Sequence, residues 1–231
     1  FNQEKSMKKF FLSLGCAAML LSSCGSLSNL ANGSMIGGAA GAAIGAGVGA
    51  LIAKDGKGAA IGAAIGTAVG AGTGAIIGNK MDKKAEELAK IEGAQVDTVL
   101  DANNLKAIKV TFDSGILFAF NSSSLSDESK TSLKKFADTM ADMQDTDLSI
   151  QGHTDNKGTH EVNEKVSLQR AQAVADYLKS CGMNASRFSV EGLAYDVPVA
   201  SNDTEAGRKQ NRRVEVYITA NEDMIKAAEA G

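Results

Sequence analysis

Tryptophan is absent from this chain of 231 residues, while proline occurs once, histidine twice and cysteine three times. Cys16, Cys24 and Cys181 are too scattered for a disulfide framework or a zinc site. His153 and His160 have Asp155 and Glu161 nearby, but at no spacing that marks a metal centre. Charge of one sign is also lacking. Lys and Arg number 24 against 27 Asp and Glu, a net charge of −3, so no global field points to nucleic acid or an anionic membrane surface. No phosphate-cradling Gly-Lys-Ser/Thr loop, nucleophile elbow or cysteine–histidine pattern is present. These absences predict a protein that is not an enzyme and holds neither metal nor cofactor.

What the chain does have begins with a targeting segment. Met7-Lys8-Lys9 supplies a positive start and Phe10 to Leu21 an apolar run too short to span a bilayer well. Residues 1–23 therefore read as a signal peptide, with 1–6 upstream of its start. Leu21-Ser22-Ser23-Cys24 resembles a bacterial lipobox, in which the cysteine is lipidated and becomes the first mature residue. An ordinary signal peptide cleaved nearby is the plainer alternative. Acylation of Cys24 would exceed the two-chain requirement for stable anchoring, leaving residues 24–32 as a lipidated tether. Gly25 follows the cysteine; in enterobacterial sorting a residue other than Asp there implies delivery to the outer membrane. Cys181, near a helix end, reads as a packing residue.

Glycine is abundant at 25 residues and concentrated in one stretch. Gly33, Gly37, Gly41, Gly45 and Gly49 recur every four residues, and so do Gly58, Gly62, Gly66, Gly70, Gly74 and Gly78. Lys54-Asp55-Gly56-Lys57 separates the two series. A period of four aligns the glycines along one helix ridge and lets backbones approach closely in lipid. In water so much glycine would cost a helix up to about 1 kcal/mol per residue relative to alanine. Residues 33–79 thus read as a glycine-zipper helical hairpin, with a flexible Gly/Ala spacer as the alternative. Membrane insertion and self-association into a homo-oligomer both remain open at this point.

Residues 80–104 read as a linker helix and a first strand, turning at Asp101-Ala102-Asn103-Asn104. Strand and helix patterns then alternate. Leu105, Ile108, Val110 and Phe112 suggest a strand; Ser126 caps a helix carrying Leu133, Phe136, Ala137 and Met140. Leu148 and Ile150 mark a strand ending at Gly152, and a helix follows that ends near Gly182. Phe188 and Val190, then Val214, Val216 and Ile218, mark two more strands. The expected fold is α+β, a βαβαββ sandwich over 105–220 with helices on one side of the sheet and a tail at 221–231.

One charge in this pattern is out of place. Val166, Ala171, Val174, Ala175 and Leu178 recur at helical spacing, and Arg170 falls inside that stripe. Asn163, about two turns earlier, faces the same way. A charge there needs a partner or a ligand, because burying it alone is very costly. Asp155, just past the strand end at Gly152-His153-Thr154-Asp155, is the candidate for the opposite end of one site. An internal Asp155–Arg170 ion pair is the plainer alternative. Arg208, Lys209, Arg212 and Arg213 form a basic cluster that reads as capping carbonyls or pairing with acids. Alternation with Val214 and Val216 puts Arg213 on the other sheet face.

These residues carry a family resemblance. Phe118-Ala119-Phe120-Asn121-Ser122, Gly-His-Thr-Asp at 152–155, Gly158, Asn163, Ser167-x-x-Arg170-Ala171, Gly192, Pro198 and Gly207-Arg208-Lys209-Gln210-Asn211-Arg212-Arg213-Val214-Glu215 occur in the order of the OmpA-like carboxy-terminal domain. With the lipobox and the glycine series, the chain resembles outer-membrane lipoproteins of the YiaD type. Val166, where the family usually has Leu, is a conservative departure. The resemblance implies non-catalytic binding of the peptidoglycan stem peptide through meso-diaminopimelate. Asp155 and Arg170 would be the principal contacts, and Asn163, Thr154 and Asn121 secondary ones. Asp would accept from the ammonium and the guanidinium would grip the carboxylate, so the pair demands both charges at one spacing. The implied protein is lipid-anchored in the outer membrane, places its C-terminal domain in the periplasm and tethers membrane to wall. The alternative is a channel-like protein working through its glycine hairpin.

Overall fold

The computed structural model describes residues 70–119 and 122–231. The signal peptide, Cys24, most of the glycine series and Asn121 lie outside them. Helix α1 (Ala71–Leu88) opens the described region and strand β1 (Ala94–Leu100) follows. Then come β2 (Lys106–Asp113), the single turn α2 (Ser114–Leu117), α3 (Asp127–Thr139), β3 (Thr146–His153) and α4 (His160–Ser180). A 3-10 turn at Ala185–Arg187 leads into β4 (Phe188–Gly192), α5 (Glu205–Asn211), β5 (Arg213–Ala220) and α6 (Glu222–Ala230).

The five strands form one sheet in the order β1-β2-β5-β3-β4, antiparallel except for the parallel β3–β4 pair. Alternation sorts each strand by face. Val110, Phe112, Leu148, Ile150, Val214 and Val216 share one core with α1, α3, α4 and α6. Helices therefore cover one face, as the sequence pattern predicts. The β1–β2 turn falls at the expected place: the Asp101 carboxylate accepts from the Asn103 and Leu105 amides, and Asn104 takes a positive φ of 58°. Ser126 Oγ accepts from the Ser129 amide as the expected cap of α3.

Three elements depart from the expectation. The helix anticipated as a linker starts at Ala71, inside the glycine series, and the boundary placed at residue 79 falls within it. It does more than link, because Ile77, Met81 and Leu88 are fully buried in the core. Lys84, on the same stripe, is buried by reaching Glu87, Asp142 and the Thr139 carbonyl. Gly74 has no neighbouring atom within 4 Å of where a Cβ would stand, and Gly78, although buried, only Lys106 Cε at 3.9 Å, so neither glycine is demanded by close packing here. The tail beyond residue 220 is mostly helix α6, capped by Asn221 and buried through Met224, Ile225 and Ala228. The short α5, capped by Thr204, separates β4 from β5. No helix among the described residues is long and apolar enough to cross a membrane.

Candidate functional site

Two glycines seat the helix that carries Arg170. Gly152 of β3 pairs with Gly192 of β4. A Cβ on Gly152 would collide with the Ser167 carbonyl, and one on Gly192 with the backbone of Glu164 and Leu168. Only bare backbone lets α4 lie this close to the sheet. The buried stripe of α4 is consequently Asn163, Ser167, Ala171, Val174, Ala175 and Leu178. Val166 and Arg170, expected within the stripe, flank it and are half-buried, because polar Ser167 takes the position over the glycines.

Ser167 also fixes the strand end. Its Oγ accepts from the Ala194 amide, and the Thr154 amide donates to the Ala194 carbonyl at 2.7 Å. Ala194 is held at a φ of 44°, in the left-handed region. Thr154 and Asp155 thus leave β3 on a braced backbone and open into a cleft of about 740 Å³. Asn163, Val166 and Arg170 of α4, Phe118 beyond α2, and Glu205, Arg208 and Arg212 around α5 also line it.

Asp155 and Arg170 are brought into this one cleft, and the internal pair weighed as the plainer alternative is not what holds Asp155. Its Oδ2 accepts from Arg212 Nη1 at 2.6 Å, and its Oδ1 from the Lys157 amide at 3.0 Å. Arg212 also reaches Glu205 at 2.9 Å, and Glu205 in turn holds Arg208 at 2.8 Å. Those two bonds and the attraction of both carboxylates outweigh partial burial and strengthen the hold of Arg212 on its proton. Arg170 is treated differently. It donates to the Ser122 carbonyl at 3.3 Å and lies 5.3 Å from the centre of the Phe118 ring. Among the described residues no carboxylate forms an ion pair with it. Burial and repulsion from Arg212 lower its proton affinity, opposed by Asp155. It remains a cation, but an under-compensated one.

Asn163 lines the cleft while its amide donates to the carbonyls of Lys157 and Thr159, bracing the loop after Asp155. Thr154 Oγ1 and Ser114 Oγ are buried without a hydrogen-bond partner, and both residues line the cleft. Arg212, with Glu205 and Arg208 beside it, is a cleft residue that sequence reasoning did not place in the site. The signal was available: residue 212 shares strand parity with Val214 and Val216, so it points to the helix-covered face.

On the opposite face lies a second groove, about 630 Å³, whose charges satisfy one another. Arg213 donates to Glu215 at 2.8 Å, and Lys109 pairs with Asp97 at 3.0 Å. His153 is buried beside Glu215 at 3.5 Å, whereas His160 stands at the start of α4 against Asp196 at 2.9 Å. The two histidines therefore share no site, and no metal-holding cluster exists among the described residues.

Residues 117–212 match the OmpA family and residues 7–82 the YMGG-like Gly-zipper. The C-terminal part of the chain is thus OmpA-like, and it follows a segment similar to a glycine zipper. The probable lipoprotein YiaD of Escherichia coli is 34% identical over 144 residues, 62% of this chain and 64% of that protein. The peptidoglycan-binding protein ArfA of Mycobacterium tuberculosis is 37% identical over 112 residues, 48% of this chain and 34% of that protein. Among solved structures, the cell wall anchor of the T6SS from Pseudomonas aeruginosa is 32% identical with a TM-score of 0.51, covering 61% of this chain and 97% of that one. The chain thus spans between a third and two thirds of these curated relatives.

Proposed function

We propose that the cleft binds the stem peptide of peptidoglycan without catalysis, through the ammonium and carboxylate that meso-diaminopimelate carries on one carbon. The observation that carries the reading is Arg170: a half-buried guanidinium, backed by an aromatic ring and repelled by Arg212, with no carboxylate of its own. A ligand carboxylate supplies the missing partner by parallel hydrogen bonds. Asp155 receives the ammonium while its carboxylate keeps the bond from Arg212, and Thr154 Oγ1 offers an unspent hydroxyl. The likeness to a peptidoglycan-binding protein and to a cell wall anchor supports this assignment. Asn121 belongs to the proposed contacts on resemblance alone.

The wider role follows from the N-terminal half. Cys24 carries lipid, the chain is held in the outer membrane with its OmpA-like domain in the periplasm, and grip on the wall tethers the two layers and supports envelope integrity. Weak single-site binding suffices, since many copies on one polymer act together. The Gly-zipper match favours a second role in membrane packing or self-association for residues 33–79. Leakage from liposomes carrying the protein tests that role.

The first test is calorimetric titration of the full chain in detergent with meso-diaminopimelate, with Nα-acetyl-lysine amide (an ammonium without the adjacent carboxylate), and with diaminopimelate against Arg170→Ala. The expected result is heat with diaminopimelate alone and none with the blocked lysine or the variant. Equal heats from all three would overturn the two-charge pocket.

A further inference from the structure

Glu205 occupies a position that a ligand would want. From the first turn of α5 its Oε1 accepts from Arg212 Nη2 at 2.9 Å, and its Oε2 lies 2.8 Å from Arg208 Nη2. One carboxylate thus bridges two guanidiniums on the rim of the cleft. Its side chain is 68% exposed, whereas those of Arg208 and Arg212 are 16% and 32% exposed. The cations are fixed from behind: Arg208 Nη1 donates to the Asn202 carbonyl at 2.8 Å and Arg212 Nη1 to Asp155. The anion rests only on them. Arg212 and Arg208 hold the Glu205 carboxyl below the usual carboxylate range, as expected of an anion in a preformed cationic fork.

The charge inventory points the same way. Arg170, Arg208, Arg212 and Lys157 face only Asp155 and Glu205 across the cleft. A ligand bringing one ammonium and one carboxylate would leave that excess of positive charge unchanged. One bringing a further carboxylate would reduce it.

We propose that Arg208 and Arg212 form a second carboxylate subsite, which Glu205 fills in the free protein as a displaceable internal stand-in. The inference rests on the stem-peptide reading and sharpens it: the preferred ligand is a dicarboxylate with one ammonium. Arg170 takes the carboxylate on the ammonium-bearing carbon, and the Arg208–Arg212 fork takes another from the same peptide. Glu205 swings into solvent when that second carboxylate arrives. Glu205 then acts as a specificity-determining residue that competes only with the second carboxylate: it weakens ligands that must displace it from the fork and leaves ligands lacking that carboxylate unaffected.

The test uses the full chain, its Glu205→Ala and Glu205→Gln variants, and three diaminopimelate-containing stem tripeptides. One peptide has all carboxylates free, one is amidated at its glutamyl carboxylate and one at its C-terminus. Removing an exposed competing ion pair should tighten binding of the free peptide by about two- to fivefold in both variants. The same variants should gain nothing with the peptide amidated at the carboxylate that enters the fork, and this identifies it. Unchanged affinity of the variants for the free peptide, with wild-type binding intact, would overturn the role of Glu205 and leave stem-peptide binding standing. Binding of none of the peptides, together with no retention on sacculi, would overturn both.

Discussion

Two groups of charges stand on opposite faces of the sheet where β3 ends and β5 begins, and they are built to different rules. On the face turned away from the helix-packed core Arg213, Glu215, Tyr217 and His153 are almost wholly buried. Arg213 donates to Glu215 and to the carbonyls of Asn211 and Val197, and the Tyr217 hydroxyl donates to Glu215 at 2.8 Å. The arginine has a partner on every side; both His153 ring nitrogens lack a hydrogen-bond partner, but no charge in the group is without a counter-charge, so the group is closed in charge and reads as structural. On the helix-covered face Arg170 has one long bond and a ring, while Arg212 and Arg208 share an exposed carboxylate from the rim. That group is open. Burial alone does not separate the arginine proposed to bind ligand from the scaffold arginine; the state of their partners does.

The sharpest way to break the contrast is to open the closed group. Glu215→Ala leaves Arg213 buried opposite no carboxylate, and removing one partner of such a pair costs about 3–5 kcal/mol. The denaturation midpoint should fall accordingly. A loss below about 1 kcal/mol would mean that water already reaches this network. Somewhat smaller is the effect of Gly152→Ala, where the new Cβ meets the Ser167 carbonyl. Overpacking of this kind costs about 1–3 kcal/mol, and here it also lifts α4 from the sheet. Stability and diaminopimelate affinity should therefore fall together in this variant, as a paired denaturation and calorimetry measurement would show.

Much of this architecture is readable from the chain, and the exceptions have physical causes. The strands from β2 to β5 announce themselves because one face is buried and the other polar, which imposes strict alternation on Ile108-Val110-Phe112 and Val214-Val216-Ile218. Helix α1 hides because its buried stripe runs from Thr73 and Ile77 in the glycine series to Leu88, through a buried Lys84 that looks like a surface residue until Asp142 is seen beside it. Helix α6 had legible signals in Asn221, Glu222 and Asp223, but only nine residues to display a period. Asp155 and Arg170 stand out as charges in the wrong places. Their actual relation does not, because the partner of Asp155 is decided by pairing across the sheet: His153 sits opposite Arg213, which brings Arg212 to Asp155 from 57 positions away. No local pattern encodes that register. The role of α1 also matters in practice, since a fragment starting at residue 94 would discard Met81 and Leu88 from the core.

A weaker probe of the closed group is pH. Burial holds the His153 imidazole below its ordinary value of 6.5, despite the attraction of Glu215. As pH drops through about 6.5 the unfolded chain takes this proton before the folded one, so stability declines. Burial would raise Glu215, but His153 and Arg213 outweigh it and hold it well below its ordinary value of 4.5. Its stabilising contribution is present above that value and is lost as pH falls further. Stability should thus fall in two stages on acidification. In His153→Gln the first stage should vanish while the second remains; an unchanged profile between pH 7 and 5 would remove His153 from the account.

The smallest expected effect on stability discriminates best between the two faces. Arg170→Met keeps the aliphatic stem against Phe118 and removes a cation that is partly desolvated and repelled by Arg212. Since the lost charge had no carboxylate partner, the midpoint should shift by no more than about 0.5 kcal/mol, the usual range for substitutions away from structural networks. Diaminopimelate binding should disappear in the same protein. A loss of stability approaching that of Glu215→Ala would mean that Arg170 is satisfied by groups within the fold, and the cleft would then be as closed as the opposite face. Retained stability with lost binding would place the unbalanced charge where a ligand must complete it, a property that Arg213, almost wholly buried on β5, does not share.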